Sequence, residues 1–222
     1  MKTKPGAHVI YKDSQGTRVP GVTTIIGLLN KPALIPWANK MGLQGIDTTR
    51  YVDHLARAGT LAHHLILCHY KGEVPDMSDF TENQIELAGN SLMSYQAWES
   101  QHTIKPILIE VPLVSDTFKY GGTPDLYCEL DGELTLLDFK TSKALYPEVM
   151  YQMAGYRNLI QDMVFNKIYR HCVDQCIALR IGRDESEGFE VKPGLNMDAA
   201  FGIFQSLLEL YYRIREYEKG DK

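Results

Sequence analysis

The 222-residue sequence predicts an α/β fold, a central mixed sheet flanked by helices with extra helices on its N-terminal side. Three observations predict it. Helical and strand periodicities follow one another in the order ααβββαβα. An Asp131-Gly132 pair lies between two strand-like runs, and a two-residue type I′ turn needs positive φ at both central positions. Leu126, Leu130, Leu134, Leu136, Leu137 and Phe139 make both faces of that hairpin largely apolar, as in a strand covered on both sides.

The elements follow in order. Residues 7–20 read as a hairpin around Asp13-Ser14-Gln15-Gly16, and short helices start near Thr23 and near Pro32, where proline suits a first turn. A longer helix spans 47–71, with Leu55, Ala58, Ala62, Leu65 and Ile66 at helical spacing, and another covers 80–101. Strands are expected over 106–114, 118–130 and 133–140, then a helix over 146–162. Strands at 173–183 and 187–192 and a closing amphipathic helix over 196–218 complete the chain. No repeat, low-complexity tract or linker interrupts this order. Length and composition suit one large domain with a real core, at 44% hydrophobic and 23% charged residues.

No apolar run approaches the ~20 residues of a membrane helix, and MKTKPGAHVIYKDSQG lacks the apolar stretch of a signal peptide. The default expectation is a cytoplasmic protein with no membrane partner. Cys68, Cys128, Cys172 and Cys176 form no CxxC pair and are expected to stay reduced. A net charge of −5 looks wrong for a nucleic-acid-binding protein, but the charge is unevenly distributed. Residues 1–43 carry Lys2, Lys4, Lys12, Arg18, Lys31 and Lys40 against Asp13 alone, whereas 72–104 hold six acids and no Lys or Arg. Such asymmetry fits one face turned to phosphates and another to water or a partner.

The hairpin also concentrates the chemistry. Counting back from the turn, Leu130 faces Glu133 and Asp125 falls opposite Asp138. Directly opposed residues have Cβ atoms roughly 4.5–5.5 Å apart, and like charges there repel. Lys140 shares the face of Asp138 by the period of two. A surface ion pair is the bland alternative, but the apolar flanks place Asp138 and Lys140 in a covered strand. Burial there is costly unless the charges are paired or hold a metal. Two carboxylates and an ammonium on one face therefore point to a divalent-cation site.

At this point the residues resemble a family. Gly122-Thr123-Pro124-Asp125, Asp138-Phe139-Lys140-Thr141 and Gln152-Met153-Ala154-Gly155-Tyr156 are similar to the GxxD, DxKT and QxxxY motifs of the PD-(D/E)XK nuclease superfamily. The match is to its RecB-type exonuclease branch, for which Gly59-Thr60-Leu61-Ala62-His63 supplies a GTxxH motif. The opening VPGVTTIIGLLNKPALIPWA also resembles phage-type exonucleases. The motifs run from Gly59 to Tyr156, and the one departure is an Asp where many members carry Glu. The resemblance implies a restriction-endonuclease-like αβββαβ core within a single nuclease domain over 1–222. Residues 1–46 would form the N-terminal hairpin and helices, 47–192 the nuclease core, and 193–222 the C-terminal helix.

The resemblance also assigns roles. Asp125, Asp138 and Lys140 would be catalytic, with Asp125, Asp138 and the Phe139 carbonyl holding Mg²⁺ or Mn²⁺. His63 and Glu110 would add metal ligands. By spacing alone His63 reads as a core histidine, with His64 its adjacent decoy; the GTxxH context makes it a ligand. Glu110 alone could equally be an edge-strand acid in water. Gln152 and Tyr156, four apart on one helix face, would bind a phosphate or position a ligand, although Val149, Met153, Tyr156 and Ile160 also form a packing stripe. Thr141, Ser142 and Lys143 would contact DNA backbone phosphates. Trp37 reads as packing its helix onto the core, with base stacking as the alternative.

The expected activity is a divalent-metal-dependent DNA exonuclease leaving 5′-phosphate ends, used in recombination, repair or replication, with a phage as the expected source. Its expected partners are DNA with a free end and a single-strand annealing or single-strand-binding protein, in the cytoplasm or a host's cytoplasm, with room for an oligomer. No iron–sulfur cluster is expected, because Cys128 lies within a core strand and only two cysteines follow it. The competing readings are an endonuclease of the same superfamily, of restriction or flap type, and a non-catalytic nucleic-acid-binding module. Loss of Asp125, Asp138 or Lys140 would have signalled the module, and all three are present.

Overall fold

A computed structural model describes residues 2–6, 9–165 and 172–220. The elements run β1 (Lys2–Thr3), α1 (Val22–Ile26), α2 (Leu34–Leu43), α3 (Thr48–Lys71), β2 (Val74–Pro75), α4 (Glu82–Glu99) and β3 (Ile104–Ile109). They continue with β4 (Leu113–Ser115), β5 (Tyr120–Gly122), β6 (Leu126–Leu130), β7 (Glu133–Lys140), α5 (Glu148–Phe165), β8 (Gln175–Ile181), β9 (Phe189–Pro193) and α6 (Met197–Gly220). The fold is mixed α/β, with a five-stranded sheet of order β3-β6-β7-β8-β9. Within that sheet only β7 and β8 pair in parallel, and α5 supplies the long crossover that a parallel pair requires.

Local chemistry sets the boundaries. Asp47 caps α3 by accepting from the amides of Thr49 and Arg50 at 3.0 and 3.1 Å. Gly72 ends α3 in the left-handed conformation at φ 63°. Thr81 and Gln84 form a reciprocal capping box on α4. The expected turn is present: Asp131 and Gly132 have φ of 51° and 95°, and Leu130 pairs with Glu133.

The sheet is covered on both faces. On one, Tyr127, Leu136 and Ala178 pack with Met153, Tyr156 and Phe204 of α5 and α6. On the other, Leu126, Leu137, Phe139 and Leu179 pack with Ile66, Tyr95 and Trp98 of α3 and α4. Cys68, Cys128 and Cys176 are buried and Cys172 is exposed.

Four expectations need correction. The strand over 106–114 ends at Ile109, because Glu110 turns to φ 48°, and Leu113–Ser115 joins β5 in a separate two-stranded sheet. The strand over 118–130 breaks at Thr123-Pro124-Asp125; Pro124 has no N–H to give a ladder. The β6–β7 ladder therefore stops at Leu126–Leu137, one step short of Asp125 and Asp138. Within the expected hairpin over 7–20 only a Lys12–Arg18 bridge forms, and residues 7–8 lie outside the described residues. Trp37 does not dock α2 on the core, since α2 buries no residue; its ring packs at 6.3 Å from Tyr51 of α3 instead. Remaining boundaries agree within three residues at each end.

Candidate active site

The site forms where β7 ends and β6 begins, at the carboxyl end of a strand within a parallel pair. Period two along β7 puts Asp138 and Lys140 on the α5 side and Phe139 on the α3 side. The break before β6 lets Asp125 turn across that end. Its Oδ2 accepts from the Phe139 amide at 2.8 Å, and its Oδ1 lies 3.2 Å from His63 Nδ1. The two carboxylates thus come to the strand end from neighbouring strands of one sheet.

Asp138 is the most deeply placed charge, 1% exposed. Its Oδ2 touches the Lys140 ammonium in an ion pair but makes no hydrogen bond of good geometry among the described residues. Its Oδ1 accepts a long bond from Gln152 Nε2 at 3.4 Å, and the same amide donates to the Tyr156 hydroxyl at 3.1 Å. His63, Asp125 and Lys140 keep 26%, 16% and 22% of their side chains accessible, and His63 borders a cleft.

Burial pushes Asp138 up from the ordinary carboxylate range, and neighbouring Asp125 adds to it; Lys140 and His63 pull the other way and do not prevail. Burial opposes charge on Lys140 too, yet Asp138 and Asp125 together hold its pKa above the ordinary value. The two partners of this contact thus move in senses that do not match. The cause is first the burial of Asp138 and then Asp125, since one ammonium faces two carboxylates. Asp125 itself is lowered: burial raises it, but His63, Lys140 and the Phe139 amide outweigh that. His63 is raised, the charge and hydrogen bond of Asp125 exceeding the effect of burial. Glu110 is raised, by burial first and by Asp125 second.

The other expected site residues divide. Glu110 lines the cleft with His63 and Thr123, and its amide donates to the Asp125 carbonyl at 3.0 Å. Thr141 packs on α3: a Cβ built on Gly59 would lie 2.8 Å from its Oγ1, which explains the glycine four residues before His63. Ser142 closes its own turn, donating to the Ala144 carbonyl at 2.7 Å, while Lys143 is exposed. Tyr156 is buried with its ring on Gly122, where a Cβ would lie 2.6 Å from it. It braces the Asp125 loop more than it faces solvent. His64 is a satisfied core residue, its Nε2 bonded to the Thr3 carbonyl at 2.8 Å.

Sequence reasoning missed Tyr11. Its hydroxyl meets Thr123 Oγ1 at 2.9 Å, and its ring lies against Gly121. The signal was Gly121-Gly122 inside a strand pattern, which announces a close approach by something else.

Among the described residues no three His, Cys, Asp or Glu side chains close into a metal cage. The donor set is nonetheless of the hard type: the half-buried Asp125 and the buried Asp138, the latter with an oxygen lacking a hydrogen bond. An open site of this kind suits an ion that keeps waters or substrate oxygens, as Mg²⁺ does. The residues fit such a cation.

No family model matches the chain, and no curated protein is significantly similar to it in sequence. Solved structures are similar in part. The structure of LHK-Exo in complex with dAMP is 12% identical, with a TM-score of 0.44 over 70% of this chain and 78% of that one. The alkaline exonuclease LHK-Exo from Laribacter hongkongensis is 12% identical, with a TM-score of 0.34 over 72% of this chain and 84% of that one. Among the described residues no helix is long and apolar enough to cross a membrane.

Proposed function

We propose that this chain is a divalent-metal-dependent DNA exonuclease that hydrolyses phosphodiester bonds to leave 5′-phosphate ends. One observation carries the reading: Asp125 and Asp138 lie at one strand end close enough to act on each other's charge, with the Lys140 ammonium beside both. A structural ion pair would not gather a second carboxylate there, since like charges at close range cost free energy with no return.

Asp125 and Asp138 would hold Mg²⁺ or Mn²⁺, with the Phe139 carbonyl beside them and His63 and Glu110 at the cleft side. Such an ion, when bound, lowers the pKa of water and neutralises phosphate charge. The chain's own groups do the rest. Phe139 N–H fixes one oxygen of Asp125 and His63 the other, which restrains rotation of that carboxylate. Lys140, kept protonated by its two acidic neighbours, orients the attacking water and stabilises negative charge as it develops on the phosphate. Gln152 bridges Asp138 and Tyr156 and restrains the carboxylate. Thr141 and Lys143 contact the DNA backbone at the strand end. The ordered GTxxH, GxxD, DxKT and QxxxY motifs do not separate exonuclease from endonuclease; a covalently closed circle does, because an exonuclease needs an end. Their resemblance to the exonuclease branch supports a role in recombination, repair or replication beside a single-strand annealing or single-strand-binding protein. The cytoplasm, or a host's cytoplasm for a phage-encoded enzyme, is the setting proposed.

The test is digestion of end-labelled linear DNA beside a covalently closed circle of the same sequence, with Mg²⁺, Mn²⁺ or EDTA and with Lys140→Ala as control. Metal-dependent loss of the linear form alone, absent in the variant, is expected. Cutting of the circle would replace the exonuclease by an endonuclease, and binding without cleavage of either form would leave a nucleic-acid-binding module.

A further inference from the structure

A second groove, of about 520 Å³, lies between the N-terminal segment and the C-terminal half of α6, away from the carboxylates. Its cations are Arg18, Arg215 and Lys219. The one carboxylate among its lining residues, Glu218, is 3.6 Å from Arg215, so the groove keeps a net positive charge. The acid of the N-terminal segment does not offset it, because Asp13 is tied to Lys119 at 2.9 Å. Arg18 is exposed and makes no ion pair among the described residues.

Aromatic rings stand among these charges. Tyr211 and Tyr212 meet edge to face at 5.5 Å, and the Arg215 guanidinium lies 5.8 Å over the Tyr211 ring. The Tyr212 hydroxyl is fixed by donating to the Lys119 carbonyl, which anchors that ring. Cations that track a backbone, interleaved with rings that accept any base, are what an unpaired strand requires.

The groove also shares a wall with the cleft beside the candidate active site. Val9 and Tyr11 line it, and both also line the cleft of about 440 Å³ that contains His63, Glu110 and Thr123. Tyr11 is the shared wall, its hydroxyl bonded to Thr123 two residues before Asp125. A strand that runs along the cleft past Tyr11 would reach the basic groove.

We propose that this groove holds a single-stranded stretch of DNA that extends from the cleavage site, with Arg18, Arg215 and Lys219 on its phosphates and Tyr211 against a base. The inference rests on the nuclease reading. It adds a binding site on an element that none of the four motifs reaches.

The test separates the two. Binding of a fluorescein-labelled single-stranded oligothymidylate is followed by anisotropy in EDTA across a salt series. The wild type is compared with the triple variant Arg18→Ala, Arg215→Ala, Lys219→Ala and with Lys105→Ala, an exposed cation on β3 paired with Glu129. Circular dichroism confirms folding. Three lost phosphate contacts should flatten the slope of log K against log salt by about 2. Tyr211→Ala should weaken binding about tenfold with an unchanged slope. Hydrolysis of bis(4-nitrophenyl) phosphate with Mn²⁺, a substrate too small to reach the groove, should survive in the triple variant while KM for the oligonucleotide rises. An unchanged slope in the triple variant overturns the inference, as does an equal loss for duplex DNA, which would assign the groove to double strands. A wild type that hydrolyses the small diester but binds no strand overturns the groove alone. One that neither hydrolyses the diester nor binds DNA overturns the nuclease reading with it.

Discussion

The β6–β7 hairpin carries an Asp–His pair at each end. At the turn, Asp131 Oδ2 lies 2.6 Å from His102 Nδ1; at the open end, Asp125 Oδ1 lies 3.2 Å from His63 Nδ1. The shorter contact is the less consequential. Asp131 is half in water, 51% exposed, and its work is local: its other oxygen accepts from the Thr103 amide at 2.7 Å and ties the turn to the start of β3. Asp125 is 16% exposed and shares its surroundings with Asp138, Lys140 and Glu110. The same two residue types form a turn clamp in one place and part of a charged cluster in the other. What differs is the number of charges left without water, not the pair.

Substitutions at equivalent places should expose that difference. Asp125→Asn keeps an acceptor for the Phe139 amide and removes the charge; its nuclease activity is expected to fall at least about a thousandfold, since metal charge stabilisation is worth several kcal/mol. Asp131→Asn should leave activity within about twofold of wild type. His63→Ala and His102→Ala should divide the same way, the loss at His63 exceeding that at His102 but falling short of that at Asp125. Comparable losses at both ends, in initial rates at saturating Mg²⁺, would erase the distinction.

Stability sharpens the comparison along the sheet. Lys105–Glu129 near the turn and Lys140–Asp138 at the open end are both ammonium–carboxylate pairs, the first with Lys105 67% exposed and the second with Asp138 2% exposed at its side chain. Lys140→Ala leaves a buried carboxylate without its cation and is expected to lower unfolding free energy in urea by about 3–5 kcal/mol. Lys105→Ala should cost no more than about 1 kcal/mol. Mg²⁺ should recover part of the loss at Lys140 and none at Lys105.

The loop that carries Asp125 offers a third, smaller effect. A methyl added at Gly122 would press on Tyr156 and Val22, at 2.6 and 2.9 Å. Gly122→Ala should destabilise by about 1–3 kcal/mol, the usual cost of overpacking. It should also lower activity, because Tyr156 is hydrogen-bonded through Gln152 toward Asp138. Gly132→Asn at the turn, where the left-handed conformation suits Asn and no atom lies within 4 Å of the added Cβ, should cost less than Gly122→Ala in the same thermal melt.

Much of this is legible in the sequence, for physical reasons that vary along the chain. The turn is readable because Asp-Gly is nearly unambiguous, and Asp138 and Lys140 follow from the strand period. The helices are readable because α3 and α5 bury continuous stripes, Ala58 to Ile66 and Val149 to Ile160. The breaks at Glu110 and at Pro124 escape such reading, although Pro112 and Pro124 mark positions that cannot donate to a ladder. Glu110 adopts φ 48° without a glycine to announce it, and its amide bonds the Asp125 carbonyl, a distant partner that no local pattern reveals. Tyr11 is hidden for the same reason: its partner, Thr123, is 112 residues along the chain.

The smallest predicted effect isolates charge at the turn. The Thr103 amide, then His102, hold the Asp131 carboxyl below its ordinary value of 3.8. A depressed carboxylate contributes stability that is present above its unfolded pKa and lost as pH falls through the folded one. Asp131→Asn removes that contribution while Asn still tolerates the left-handed φ of 51°. The variant should therefore be slightly less stable than wild type at neutral pH, and the two urea curves should converge as pH drops below about 4. A gap that persists undiminished at acid pH would mean that Asp131 acts through shape alone. The turn end would then contain no electrostatic counterpart to the site at the other end of the hairpin.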